Sequence, residues 1–217
     1  MRRVSEIFSS QGARHLLVIG AHSDDIEIGC GGTVLTMLHE NPELEVTWVV
    51  LSADGVRQRE ANMGADRFLE NSKHKSVVIG SFRDGYFPSE WEAIKSFFER
   101  LKADIEPDLI FTHMRNDLHQ DHRVVSELTW NTFRDHLILE YEILKYDGDL
   151  GAPNVFVPLS EDVVEKKLEI IRECFPSQHG KRWFSRDTFA AMLRVRGVES
   201  NASDGAAESF YGRKLVL

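Results

Sequence analysis

Residues 15–40 read HLLVIGAHSDDIEIGCGGTVLTMLHE. The stretch opens on an unbroken apolar run, His15–Ala21, without the polar alternation of a strand that keeps one face in water. A run of this kind is a strand covered on both faces. It closes on GGTVLTMLHE (31–40), whose apolar spacing predicts a helix. Between them stands Ala21-His22-Ser23-Asp24-Asp25, a polar turn at the carboxyl end of the first strand. The glycines at 29, 31 and 32 permit close backbone approach and the turn from strand to helix.

Outward from this unit the same alternation repeats. EVTWVVLS (45–52), residues 76–80, DLIFTH (108–113) and EYEILKY (140–146) are predicted strands; residues 57–71, 90–102 and 121–135 are predicted helices. Strands and helices in strict succession give βαβ units. The expected fold class is therefore α/β, a Rossmann-like, mainly parallel sheet with helices on both faces. Beyond Asp147 the pattern changes. Residues 148–158 are rich in Gly and Pro and read as a loop, 161–174 as a helix capped by Ser160, and 183–195 as another helix. The expectation is one domain over 1–217, with an α/β core over about 1–147 and a C-terminal cap over about 148–217 lying on the active-site edge.

Composition narrows the function classes. With 217 residues and 42% hydrophobic content, the chain can bury a substantial core. Its net charge of −9 excludes a general binder of nucleic-acid phosphates, which needs clustered Lys and Arg. Cys30 and Cys174 are far apart and show no CxxC spacing, so neither a disulfide framework nor a thiolate zinc site is expected, and Cys30 reads as a small buried filler. No apolar segment follows Met1-Arg2-Arg3-Val4-Ser5, and no apolar run reaches the length of a membrane span. The expected location is cytoplasmic, with no integral membrane segment and no nucleic-acid partner. The sequence leaves oligomeric state open, a homo-oligomer included.

Two motifs carry chemistry. In the first, a tight turn lets His22 and Asp25 converge on one point while Asp24 faces elsewhere, and an open α/β sheet binds ligands at this end of its strands. The second, His119-Gln120-Asp121-His122, follows the fourth strand, with Asn116 and Asp117 in the polar loop before it. His119 and His122 lie on one side of a helical turn. Either motif alone is weak, because Asp at a loop is commonly a helix cap. Together, each at a strand end, they supply three metal ligands and leave a position for water, the mark of catalytic zinc. His15, His39, His74, His136 and His179 gain no such support and read as surface or loop residues. His113 ends the fourth strand close to the site.

At these residues the chain resembles the zinc-dependent N-acetylglucosaminyl de-N-acetylases (PIG-L/LmbE-like deacetylases). The resemblance spans GAHSDDIEIGCGGT (20–33), Arg57 and Glu60 in VRQREA, Asp84-Gly85, PDLIFTH (107–113), NDLHQDHR (116–123), Ser177-Gln178 and Ala207-Glu208-Ser209-Phe210. The family usually has Pro where this chain has Ser23, a residue that ligates nothing. It often has an acid where this chain has Ile26, with Glu27 next.

The resemblance implies one zinc ion per chain on His22, Asp25 and His122, a ligand set that other divalent metals also accept. It further implies Asp24 as general base and His119 as oxyanion partner or general acid. Asp121 would orient a histidine, and Arg57 and Asp84 would bind substrate. The implied reaction is removal of the N-acetyl group from an N-acetylglucosamine-type sugar or its conjugate, a small-molecule partner. Tyr86, Phe87, Trp183 and Tyr211 are candidates to stack on sugar rings or to pack the core. Competing readings are a metal-dependent hydrolase of another amide (a thiol-sugar conjugate) or of a phosphoester, and a sugar-binding descendant of a deacetylase. Phosphoester chemistry favours two metals, and the sequence offers ligands for one. A non-catalytic descendant would have lost a ligand or the base, and His22, Asp24, Asp25 and His122 are all present. The sequence does not set the carrier of the amino sugar, be it nucleotide, lipid, thiol precursor, antibiotic or oligosaccharide.

Overall fold

The apolar runs form strands and the segments between them helices, in a computed structural model that describes residues 12–215. The N-terminal segment read above for a targeting signal lies outside the described residues. The elements are β1 (His15–His22), α1 (Asp25–Glu40), β2 (Glu45–Ser52), α2 (Gly55–Phe68), β3 (His74–Ile79), α3 (Trp91–Asp104), β4 (Leu109–His113), α4 (Gln120–Thr132), β5 (Leu137–Tyr141), β6 (Val155–Pro158), α5 (Glu161–Cys174), α6 (Arg186–Ser200) and β7 (Ala207–Gly212). The sheet order is β3-β2-β1-β4-β5-β7-β6. β1 to β5 pair in parallel, and β7 is antiparallel to both β5 and β6.

Both faces of the sheet are covered, as the unbroken apolar strands require. Leu16, Val18, Val46, Trp48, Leu109 and Phe111 face a core shared with α1, α2, α5 and α6. Leu17, Ile19, Val49, Leu51 and Ile110 face the opposite core, with Phe98 of α3 and Leu128 of α4. The chain runs outward from β1 through β2 to β3, then returns to the other side of β1 with β4. The crevice at the carboxyl ends of β1 and β4 is therefore the topological switch point, where open α/β sheets take ligands. Among the described residues no helix is long and apolar enough to cross a membrane.

Three local expectations are corrected. α1 begins at Asp25, not Gly31, so the glycines lie inside the helix rather than in the turn. Their low helix propensity is overridden by packing: a Cβ at Gly29 would stand 2.2 Å from Tyr141 Cδ2, inside a fully buried ring. The fifth strand is Leu137–Tyr141 rather than 140–146. The loop expected over 148–158 ends in β6, and β7 forms where only a motif was recognised, so the C-terminal region also extends the sheet. Ser160 does cap α5, its Oγ accepting from Val163 N–H at 3.4 Å.

β7 also anchors the helix that carries Asp25. Glu208 enters the side of α1, accepting from Gly32 N–H (2.8 Å), Thr33 N–H (2.7 Å) and Thr33 Oγ (2.6 Å). Lys167 of α5, 2% exposed, donates to Glu208 Oε1 (2.5 Å) and to Ile28 O (2.7 Å). A Cβ at position 32 would come within 2.9 Å of Glu208 Oε1, which accounts for glycine there. Lys167→Ala leaves Glu208 buried without its cation and is expected to cost about 3–5 kcal/mol. Urea denaturation measures this; a loss under about 1 kcal/mol would mean the pair contributes little.

Candidate metal centre at the switch point

β1 delivers His22 to the crevice, and α1 starts three residues later at Asp25. Asp24 occupies the N-cap position of α1, yet its side chain makes no capping bond. The carboxylate turns instead to Arg57, whose Nη2 donates to Asp24 Oδ1 at 2.8 Å. From the other side of the crevice, His119 caps α4 and places Asp121 and His122 in its first turn.

Hydrogen bonds fix the tautomers of the two facing histidines. His22 Nε2 lies 3.1 Å from both Asp121 Oδ2 and Asp84 Oδ1, so its proton sits on Nε2 and the Nδ1 lone pair points inward. His122 Nδ1 lies 2.9 Å from Asp117 Oδ2, which leaves the Nε2 lone pair pointing inward. These two bare nitrogens are 3.2 Å apart, and Asp25 Oδ2 stands 3.4 Å from the first and 3.5 Å from the second. Ligand atoms about 2.0–2.1 Å from a tetrahedral zinc ion lie about 3.3–3.4 Å from one another. The three donors thus fit a zinc ion in chemistry and in spacing.

Other donor sets overlap this one: His22 with His119 and His122; His22 with Asp84, His119 and Asp121; and Asp25 with His113 and His122. The tautomers choose among them. Asp84 and Asp121 address the protonated nitrogen of His22. His113 Nε2 already accepts Ala21 N–H at 3.0 Å.

The electrostatics follow from this crowding. Burial opposes a charged imidazole at His22, but Asp121, Asp25 and Asp84 outweigh it and raise its pKa well above the ordinary value. A proton and a divalent cation therefore compete for the same lone pair. Burial, reinforced by His113, lowers His122 to about 4 and keeps it neutral. Burial also opposes ionisation of Asp25, yet His122 and His113 hold it well below the usual carboxylate range. Asp24 is only 4% exposed, and burial lifts it to about 6 against the pull of Arg57.

His119 is half-buried, and burial, then the charge of His22, lowers its pKa. Its Nδ1 accepts Asp121 N–H at 3.3 Å, so the neutral ring presents Nε2–H as a donor. Asp121 accepts from Gly85 N–H (2.6 Å) and Phe87 N–H (3.1 Å), which fix the carboxylate that orients His22. Asp84, with a side chain 66% exposed, stands at the mouth, and its contact with His22 lowers it to about 2. All eight residues singled out in the sequence meet here. Arg57 does so through Ser23 and Asp24, with two of its nitrogens already engaged.

The sequence reading gave no role to Asp117 or Lys145. Asp117 holds His122, and Lys145 holds Asp117 Oδ1 at 2.9 Å and Asp149 Oδ2 at 2.6 Å. A carboxylate five residues before His122 was a usable signal for the first; nothing local marks Lys145. Phe87 is core, Trp183 packs on Phe184 and Phe189, and Tyr211 reaches Glu142. Tyr86 alone of the four aromatics is largely exposed, stacked under Arg83 at 3.5 Å.

Residues 17–133, more than half of the chain, match the family described as GlcNAc-PI de-N-acetylase (PIG-L). The uncharacterized deacetylase YaiS of Escherichia coli K12 is 26% identical over 186 residues, covering 78% of this chain and 95% of YaiS. The conserved protein TT1542 of Thermus thermophilus superposes with a TM-score of 0.72 at 21% identity, over 93% of this chain and 95% of that one. The N,N'-diacetylchitobiose deacetylase of Pyrococcus horikoshii also gives 0.72, at 20% identity over 98% and 87%. At these identities the likeness to the two solved structures is one of fold.

Proposed function

The chain belongs to the GlcNAc-PI de-N-acetylase (PIG-L) family, a family of deacetylases, and on that premise we propose that it is a zinc-dependent hydrolase removing the N-acetyl group from an N-acetylglucosamine-type sugar or its conjugate. The observation that carries the reading is the triangle of His22 Nδ1, Asp25 Oδ2 and His122 Nε2. Those three side chains would hold the ion. When bound, it supplies the Lewis acidity that polarises the acetyl carbonyl and acidifies a water.

The remaining work falls to the chain's own groups. Asp24 has Oδ1 on Arg57, and its Oδ2 has no hydrogen bond among the described residues, so Oδ2 takes the proton of the attacking water. The same oxygen then returns that proton to the departing amine. A base lifted to about 6 by burial suits both transfers near neutral pH. His119 Nε2–H donates to the oxygen that gains charge as the carbonyl is attacked. Asp121 and Asp117 keep the protons of His22 and His122 on the nitrogens that face away from the triangle. Asp84, exposed at the mouth, is placed to meet hydroxyls of the sugar.

The test is a panel of N-acetylated amino sugars, free and conjugated to phosphate, lipid, thiol-bearing or oligosaccharide carriers, read for free amine and acetate. Turnover of at least one GlcNAc derivative is expected. Turnover of phosphoesters and of no N-acetyl sugar would replace this reading with the phosphoester alternative.

A further inference from the structure

Behind Asp24 lies a second buried carboxylate that the chemistry above does not use. Glu60 of α2 is 3% exposed. Both of its oxygens are taken by one residue of the C-terminal region: Ser177 N–H donates to Oε1 at 2.8 Å and Ser177 Oγ to Oε2 at 2.6 Å. Gln178 Nε2 donates to the same Ser177 Oγ at 2.8 Å, which commits the hydroxyl proton to Glu60. Arg57, one turn before Glu60 on the same helix, is the cation between the two carboxylates. Its Nη2 is 2.8 Å from Asp24 Oδ1, its Nε is 2.5 Å from Ser23 Oγ, and the same Nε is 3.8 Å from Glu60 Oε2.

We infer that Glu60, held by Ser177, is a positioning residue that keeps the Arg57 guanidinium on Asp24. A guanidinium and a free carboxylate close into a two-bond fork when nothing prevents it. Here the two bonds from Ser177, one to each oxygen, fix the orientation of the Glu60 carboxylate with Oε2 at 3.8 Å from Arg57 Nε. At that distance its charge still steadies Arg57 but cannot capture its N–H groups. The turn carrying Ser177 is fixed in its place. Phe175, just before it, is fully buried against Gly64, where a Cβ would come within 2.7 Å of Phe175 Cζ. Gly64 lies one turn beyond Glu60, and without a Cβ there α2 receives the Phe175 ring, and the Glu27 carboxyl beside it, at close range. The C-terminal region thus reaches the base through Ser177, Glu60 and Arg57 in turn.

The inference rests on the reading of Asp24 as the base, and the experiment separates the two. Glu60→Gln keeps the shape and can still accept Ser177 N–H, but it removes the charge. It is expected to lower kcat by roughly 10–10²-fold, the cost of a small misplacement, with KM changed by less than about twofold and bound zinc unchanged. Ser177→Ala should do the same and Ser177→Thr should restore activity. In an Arg57→Lys background, Glu60→Gln should cost less than about twofold, since a residue acting through another is non-additive with it. A readout independent of turnover is hydrogen exchange at the Arg57 Nε–H, followed by NMR, expected to speed up in Glu60→Gln and Ser177→Ala. Unchanged exchange overturns the clamp itself. Faster exchange with undiminished kcat overturns its link to Asp24, as does full additivity with Arg57→Lys.

Discussion

Asp24→Asn should lower turnover by roughly 10²–10⁴-fold, the loss expected for a general base, and leave the zinc in place. The substitution keeps the volume of the side chain and an oxygen that can still accept from Arg57 Nη2, so the local fold has no reason to change. What it removes is the basic oxygen. The proposed metal triangle takes Oδ2 of Asp25, the neighbouring residue, which lies 3.4 Å from His22 Nδ1 and 3.5 Å from His122 Nε2. His119→Ala is the companion case. It removes the Nε2–H donor and should slow the chemical step while the metal stays bound, since His119 is not one of the triangle's three residues. The measurement is zinc stoichiometry alongside kcat for both variants. Zinc loss from Asp24→Asn would reverse the division of labour between the two aspartates. Near wild-type turnover would move the base to another group.

Much of the site is legible in the sequence because its residues sit where the fold changes type. His22 and Asp25 mark the end of an apolar run, and His119 to His122 open a helix after another. A parallel sheet brings those two places together without any information beyond strand order. What cannot be read has a common physical origin. The start of α1 is hidden because Gly29, Gly31 and Gly32 oppose a helix locally; Gly29 and Gly32 are tolerated for what they face, a Tyr141 ring and the Glu208 carboxylate. β6 and β7 are short, antiparallel and at or next to the sheet edge, so neither shows the long apolar run that marks β1 and β2. Lys167 reaches partners 41 and 139 residues away, and Ser177 meets Glu60 across 117. A buried lysine such as Lys167 has no local signature at all. The motif Ala207-Glu208-Ser209-Phe210 is visible as a resemblance; its role as an anchor inserted into α1 requires the third dimension.

Asp25→Ala and His122→Ala should lose the zinc, and activity with it. Each removes one of three protein donors, and the two that remain cannot hold a tetrahedral ion whose fourth position is left to water. Asp117→Asn offers a graded version of the same test. It leaves every donor of the triangle in place but weakens the acceptor that keeps the His122 proton on Nδ1. Losing such an outer partner is expected to weaken zinc binding by about 10–100-fold. The pH dependence has a definite sign. On the proposed ligand set a zinc ion would need the Nδ1 lone pair of His22, and the surrounding carboxylates raise the pKa of that ring well above the ordinary histidine value. Protons therefore displace zinc as pH falls, and apparent affinity rises with pH until it passes the raised pKa. Competition against a chelator of known affinity, run across pH on the wild type and the three variants, measures all of this. Retention of one zinc per chain by both Asp25→Ala and His122→Ala would place the ion on another of the overlapping donor sets, with His119 or His113 as a ligand.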